Sequence, residues 1–316
     1  MPAHDVVTFG ETMAMFVADQ PGALADALHF TKRIAGADTN VAIGLARLGL
    51  RVAWVSRIGD DSFGRFITAS LEREGLDCGR VAVDARHPTG FQLKARTADG
   101  SDPTVEYFRR GSAASRLSPD DFDAALFTAA RHLHATGIPP ALSAGARELA
   151  HLALREMRAA GRTVSFDPNL RPALWPDRAT MVAEINALAA QADWVLPGLA
   201  EGRLLTGYDA PRDIAAFYLE RGVEAVAIKL GPSGAYWRTA HAEGTVPGFP
   251  VARVVDTVGA GDGFAVGFVS ARLEGRELAA AVARGNRIGA LQVQVPGDME
   301  GLPTRAELDR LEAGGA

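Results

Sequence analysis

The sequence predicts an α/β protein whose largely parallel sheet is covered on both faces by helices and carries a small β-sheet lid over one end. Three observations predict it. Short apolar runs alternate with longer amphipathic segments along most of the 316 residues, the order that parallel strands joined by helical crossovers require. Two stretches, 12–35 and 89–110, interrupt that alternation with short strand-like segments and no helix between them. Late in the chain, Asp256-Thr-Val-Gly-Ala-Gly-Asp-Gly-Phe264 places consecutive small residues and a carboxylate at the start of an apolar helix, where anions bind.

Taken in order, Val6-Val-Thr-Phe9 is a β-branched and aromatic run closed by Gly10, and it forms the first strand. Met13-Ala-Met-Phe-Val17 begins the first interruption. A helix is expected over 40–48, a strand over 52–56 and a second helix over 63–74. Gly90-Phe-Gln-Leu-Lys94 and Val105-Glu-Tyr-Phe-Arg109 then form the second interruption. Set over the mouth of the main sheet, these segments would act as a lid that excludes water. Strands at 132–135, 163–167, 194–197 and 225–230 alternate with helices at 144–159, 178–190 and 214–221. The last helix is read from Phe264, Ala265, Val266, Phe268 and Val269 and continues to Leu273. All of this suits one domain spanning 1–316, with ligands at the C-terminal ends of its strands.

Composition narrows the function. A formal net charge of −5 with scattered charges leaves no basic stripe for nucleic acid. Cys78, in Gly75-Leu-Asp-Cys-Gly79, is the only cysteine. It excludes an internal disulfide framework, suits a reducing cytosol and reads as a loop or strand-edge residue. No apolar run reaches membrane length, and the first ten residues lack a signal-peptide pattern, so no membrane contact and a cytoplasmic location are expected. His132 and His134 share a strand face without a third ligand nearby, which points to packing rather than metal binding.

The glycine-rich run carries the chemistry. No Gly-x-x-x-x-Gly-Lys-Ser/Thr segment occurs, and Phe264 stands where a dinucleotide fingerprint needs a small residue. From Gly259 through Ala260 to Gly261, backbone N–H groups can converge on an anion at the positive end of the helix dipole. Asp262 lies within reach of the same point and can take a proton from an attacking hydroxyl.

Upstream, Ala35-Gly-Ala-Asp-Thr-Asn40 leads into an apolar helix, and Arg57-Ile-Gly-Asp-Asp-Ser-Phe-Gly64 follows a strand. Together with 256–264, these segments resemble the two signatures of the ribokinase-like (PfkB) family of carbohydrate kinases, over essentially the whole chain. The resemblance implies a three-layer α/β/α sandwich with a mostly parallel sheet and a β lid, and the use of ATP with Mg²⁺. It further implies Asp262 as catalytic base and Gly259, Ala260 and Gly261 as the anion hole. A solvated aspartate is already ionised at neutral pH.

Ribokinases and fructokinases typically hold sugar hydroxyls with an aspartate where this chain has Met15. Tyr107 and Arg109 share one face of a lid strand instead, and Arg171 ends Phe166-Asp-Pro-Asn-Leu-Arg171. Guanidinium groups match a carboxylate, so the expected substrate is a sugar acid. Arg110 reads as a solvated edge charge.

Pro88-Thr-Gly90, Leu133-His-Ala-Thr-Gly-Ile138 and Pro139-Pro-Ala-Leu-Ser143 are similar to segments of 2-keto-3-deoxygluconate kinases, which phosphorylate the 6-hydroxyl of a six-carbon keto acid. By that resemblance Gly36, Ala37, Asp38, Thr39, Asn40, Gln92, Tyr107, Phe108, Arg109, Arg171 and Asp298 line the substrate side. Asn169, Leu170, Arg171, Lys229, Leu230, Gly231, Pro232, Ser233, Gly234, Asn286 and the 259–262 run contact ATP, with Arg171 bridging the two ligands. Two departures stand out. Gln92 replaces a tyrosine that some such kinases place in the lid, and the family's Asn-x-x-Glu motif reads Gly198-Leu-Ala-Glu201, with Glu201 reaching Mg²⁺ through water. The alternatives are a fructokinase, a deoxy-ketogluconate kinase of inositol breakdown, or a non-catalytic sugar-acid sensor on the same scaffold. An exposed lid face bearing Phe16, Phe30 and Phe91 suggests a homo-oligomer joined lid to lid.

Overall fold

The computed structural model describes residues 4–97 and 103–313; positions 98–102 of the second lid stretch lie outside the described residues. In chain order the strands are β1 (Val6–Phe9), β2 (Met13–Pro21), β3 (Phe30–Ala35), β4 (Val52–Gly59), β5 (Asp77–Asp84), β6 (Phe91–Arg96), β7 (Val105–Phe108), β8 (His132–Thr136), β9 (Thr163–Asp167), β10 (Trp194–Val195), β11 (Ala225–Lys229), β12 (Ala235–Arg238) and β13 (Glu243–Val246). The helices are α1 (Ala37–Arg47), α2 (Ser62–Arg73), α3 (Ala124–Ala129), α4 (Pro139–Leu142), α5 (Ala144–Ala159), α6 (Arg178–Ala189), α7 (Leu199–Thr206), α8 (Pro211–Leu219), α9 (Ala260–Leu273), α10 (Leu278–Gln292) and α11 (Arg305–Ala313).

The main sheet runs β13-β12-β11-β10-β9-β8-β1-β4-β5, parallel from β11 to β5 and antiparallel at the β12–β13 edge. Strand alternation splits its side chains between two cores. Val7 and Phe9 pack with Leu149, Leu154, Ile185 and Ile214 of α5, α6 and α8. Val6 and Trp54 pack with Ile43, Phe268 and Val282 of α1, α9 and α10. Helix layers therefore cover both faces, as the apolar strand runs predict. Fully buried Phe268 joins the second core; its truncation to alanine would cost roughly 3–5 kcal/mol.

A second sheet, β3-β2-β6-β7, makes the lid. Its faces differ in chemistry by the same alternation. Met13, Gln92, Lys94 and Tyr107 face the cavity, while Phe16, Phe91 and Phe108 lie on the outside, Phe91 stacked on Phe108 at 4.6 Å and Phe63 of α2 edge-on to Phe16.

Several boundaries differ from the sequence reading. Helix α1 starts at Ala37, three residues before the expected 40, because Gly36 caps it. The strand expected over 194–197 contains only Trp194–Val195. The edge strands β5 and β13 follow polar, weakly patterned sequence, and β12, between β13 and β11, is only four residues long. Cys78 lies half-buried in β5, at the sheet edge, and burial pushes its thiol up to about 11.

Candidate active site

The C-terminal ends of the parallel strands and the starts of α1, α7 and α9 converge under the lid on a cavity of about 510 Å³. Gly259 caps α9 with φ 81°, and a Cβ there would run into the Asp298 carbonyl, so both conformation and space require glycine. Gly36 meets the same spatial demand at α1, where a Cβ would strike the Glu11 carbonyl. Helix α9 thus presents the positive end of its dipole to the cavity at Gly259, Gly261 and Asp262, while the Ala260 N–H turns back to the Thr257 carbonyl at 3.4 Å.

Asp262, in the first turn of α9, is 7% exposed. Asn40 of α1 donates to its Oδ2 at 2.7 Å, and Asn169 lies 3.4 Å from its Oδ1. Burial lifts its carboxyl to about 7; the Asn40 bond and Arg171 oppose the rise, while Asp167 and Asp298 reinforce it. This corrects the expectation of a solvated, fully ionised aspartate. The packed starts of α1 and α9 remove the water that would hold the charge. A carboxyl titrating near neutrality is better matched to proton abstraction than an ordinary one.

Beyond β9, Asn169 adopts φ 38°, a conformation that asparagine tolerates, and this aims its amide at Asp262. Lys229, at the end of β11, bonds Asp167 Oδ2 at 2.6 Å, and its Nζ lies 3.4 Å from where a Cβ on Gly261 would stand. Burial holds the Asp167 carboxyl above the usual range against the pull of Lys229. Glu201 accepts from the backbone N–H groups of Leu170 and Gly198, both at 2.7 Å, and so ties α7 to the loop after β9. Arg171 lines the cavity, donates to the Asn169 and Leu170 carbonyls, and acts on the Asp262 carboxylate through its charge.

On the lid side, Arg109 is not a free cation. Its Nε and Nη2 grip Glu11 Oε2 at 2.7 and 2.5 Å, and Ser112 donates to Glu11 Oε1 at 2.5 Å. The reading of Arg109 as an open carboxylate clamp is corrected accordingly: Nη1 is the nitrogen not engaged by Glu11. A carboxylate does stand near the first lid strand, at Glu11 rather than Met15, but it is neutralised by Arg109. Tyr107 and buried Gln92 line the cavity. Phe108 does not; one residue along from Tyr107, it faces the other side of the lid and stacks on Phe91.

The signature at the start of α1 divides in the same manner. Gly36, Ala37 and Asn40 line the cavity. Asp38 and Thr39 turn away, Thr39 sharing a 2.7 Å hydrogen bond with Thr12 and Asp38 bonding Thr136, so they anchor the helix start instead. On the nucleotide side, Asn169, Lys229, Gly259 and Gly261 line the cavity with Asp262, whereas Leu170, Ala260, Leu230, Gly231, Pro232, Ser233, Gly234 and Asn286 lie outside its lining. Asn286 donates to the carbonyls of Val246 and Pro247 and so holds the segment after β13.

Three charged lining residues escaped the sequence reading: Glu11, Lys94 and Asp167. Lys94 had a usable signal, since it follows Gln92 by one strand period. Its Nζ lies 2.6 Å from Asp256 and 2.7 Å from Asp298. His132 and His134 are buried and bonded to Thr163 and Ser165, in keeping with a packing role. No three His, Cys, Asp or Glu side chains cluster as a metal site among the described residues. Asp167 and Glu201 beside Lys229 nevertheless fit Mg²⁺, which takes one or two carboxylates and fills its shell with water and substrate phosphates.

Comparison with known proteins agrees with this geometry. A 2-dehydro-3-deoxygluconokinase of Bacillus subtilis (strain 168) is 55% identical over 305 residues, covering 96% of this chain and 94% of its own length. One of Thermoproteus tenax is 37% identical over 309 residues, covering 97% and 93%. An E. coli protein assigned as ribokinase II, solved in complex with ATP and Mg²⁺, superposes with a TM-score of 0.90 at 26% identity, covering 99% of this chain and 100% of that one. The description "pfkB family carbohydrate kinase" matches residues 3–305. With that match over nearly its whole length, and with a glycine-capped helix start presenting Asp262 to a lidded cavity, the chain belongs to the PfkB family of carbohydrate kinases.

Proposed function

We infer that the protein is an ATP- and Mg²⁺-dependent kinase that phosphorylates the 6-hydroxyl of 2-dehydro-3-deoxygluconate, also called 2-keto-3-deoxygluconate. The observation that carries the acid-sugar reading is Arg171. Lys94, Lys229 and Arg109 are each spent on carboxylates, whereas Arg171 is the cavity cation without an ion-pair partner among the described residues. A substrate carboxylate supplies that partner, with Arg109 Nη1 as a second donor.

In this reading Asp262 takes the proton of the 6-hydroxyl as its oxygen bonds to the γ-phosphorus; the bond to the bridging oxygen breaks, and ADP leaves. The 259–261 amides and Lys229 donate to the phosphoryl oxygens. When bound, Mg²⁺ neutralises phosphate charge, and Glu201 orients a water toward it. Asp298, Asn40, Gln92 and Tyr107 bind the acceptor's hydroxyls. Leu230, the 231–234 turn and Asn286 are assigned to the nucleotide through its more distant parts.

The same proposal takes 1–316 as one kinase domain in the cytoplasm; no helix among the described residues is long and apolar enough to cross a membrane. It pairs two copies through the outer lid face, where Phe108 is 47% exposed beside Phe91. Turnover of the keto acid measured beside fructose, ribose and gluconate tests the substrate; efficient use of a neutral sugar with none of the keto acid would overturn it.

A further inference from the structure

We propose that Lys94 is a positioning residue that couples closure of the lid to the shape of the anion-binding turn. Lys94 reaches from the cavity face of β6 and is 2% exposed, yet both of its carboxylate partners, Asp256 and Asp298, lie outside the lid. Asp256 opens the turn before α9, accepting from the backbone N–H of Val258 at 3.1 Å and of Gly297 at 3.3 Å. Asp298 backs onto Gly259, its carbonyl filling the space a Cβ would need. One ammonium from the lid therefore holds both backbone segments that define the left-handed cap of α9. Arg33 of β3 adds a second tie to the same loop, 2.6 Å from Glu300 and 3.1 Å from the Pro296 carbonyl.

The energetics make this a coupled element. Burial opposes the charge on Lys94, but Asp298 and Asp256 together hold its pKa above the ordinary lysine value. Withdrawing the ammonium would leave two carboxylates, 7% and 6% exposed, facing each other uncompensated. Lid opening and loosening of the turn thus belong to one event. An acceptor that binds under the lid favours closure, so acceptor and nucleotide should bind cooperatively and reciprocally.

The inference rests on reading 259–261 as the anion hole. Calorimetry of ADP binding, with and without whichever of the keto acid and fructose the wild type phosphorylates, tests it. The wild type should bind ADP roughly tenfold tighter with the acceptor present. In Lys94→Met that ratio should fall to within about twofold of unity. A variant that keeps the wild-type ratio, or that loses ADP equally in both conditions, overturns the proposal. Should Lys94→Met fail to fold, hydrogen exchange in the wild type decides. Slower exchange of the Val258 and Gly297 amides on adding acceptor supports the coupling, and unchanged exchange overturns it. A wild type that phosphorylates neither acceptor overturns the anion-hole reading and this inference with it; normal turnover with a failed coupling test sinks this inference alone.

Discussion

Asp262→Asn should cut turnover by orders of magnitude and yet stabilise the fold at alkaline pH. The substitution keeps the side-chain shape and an oxygen for Asn40 to donate to, and it removes the charge. Burial raises the Asp262 carboxyl from 3.8 to about 7, and at about 1.4 kcal/mol per tenfold, keeping it ionised in the folded protein costs at most about 4 kcal/mol above pH 7. Because the folded pKa is the higher one, the folded state binds the proton more tightly. The stability this gives is complete below 3.8 and is lost as pH rises through 7. The amide of the variant has no such proton to lose. Asp38, likewise pushed up to about 7 chiefly by burial, gives a slope of the same sign that the variant retains except for the smaller part due to the Asp262 charge. Urea unfolding at pH 5 and pH 8 should therefore show the variant gaining about 2–3 kcal/mol on the wild type between the two. Its kcat should fall by roughly 10²–10⁴. Equal pH slopes for the two proteins would refute the buried-charge argument, and near-native turnover would refute the base.

Two further outcomes are expected. Glu201→Gln should raise the Mg²⁺ concentration needed for half-maximal activity roughly tenfold or more, and an unchanged Mg²⁺ titration would remove Glu201 from metal handling. Phe108→Asp, on the outer lid face, should convert a dimer into a monomer in light scattering; a wild type that is already monomeric at micromolar concentration would exclude the lid-to-lid interface.

The parallel sheet was legible because β1, β4, β8, β9 and β11 are buried on both faces and read as apolar runs. The lid was legible through its period-2 pattern. The edge strands β5 and β13, and β12 beside the latter, were not, since a half-solvated strand carries little apolar signal. At the site, the glycines and Asp262 announced themselves by spacing, because a left-handed cap and a close backbone approach admit few residues. What the sequence could not show is which charges cancel. Arg109 looked like a ligand until Glu11, 98 positions away, proved to occupy it. Asp262 looked solvated because burial is a property of the packed α1 and α9 starts rather than of neighbouring residues. Phe108, Asp38 and Thr39 were included with their segments, although strand and helix geometry turns them from the cavity.

The central claim, phosphoryl transfer to an acid sugar whose carboxylate is read by Arg171, is tested most directly by kcat/KM for the keto acid and for fructose in the wild type and in Arg171→Ala. The wild type should strongly prefer the keto acid. Arg171→Ala should lower kcat/KM for the keto acid roughly 10²-fold while leaving fructose within a few-fold of its wild-type value. A wild type that phosphorylates fructose and not the keto acid, or an Arg171→Ala variant that loses both acceptors equally, would contradict it.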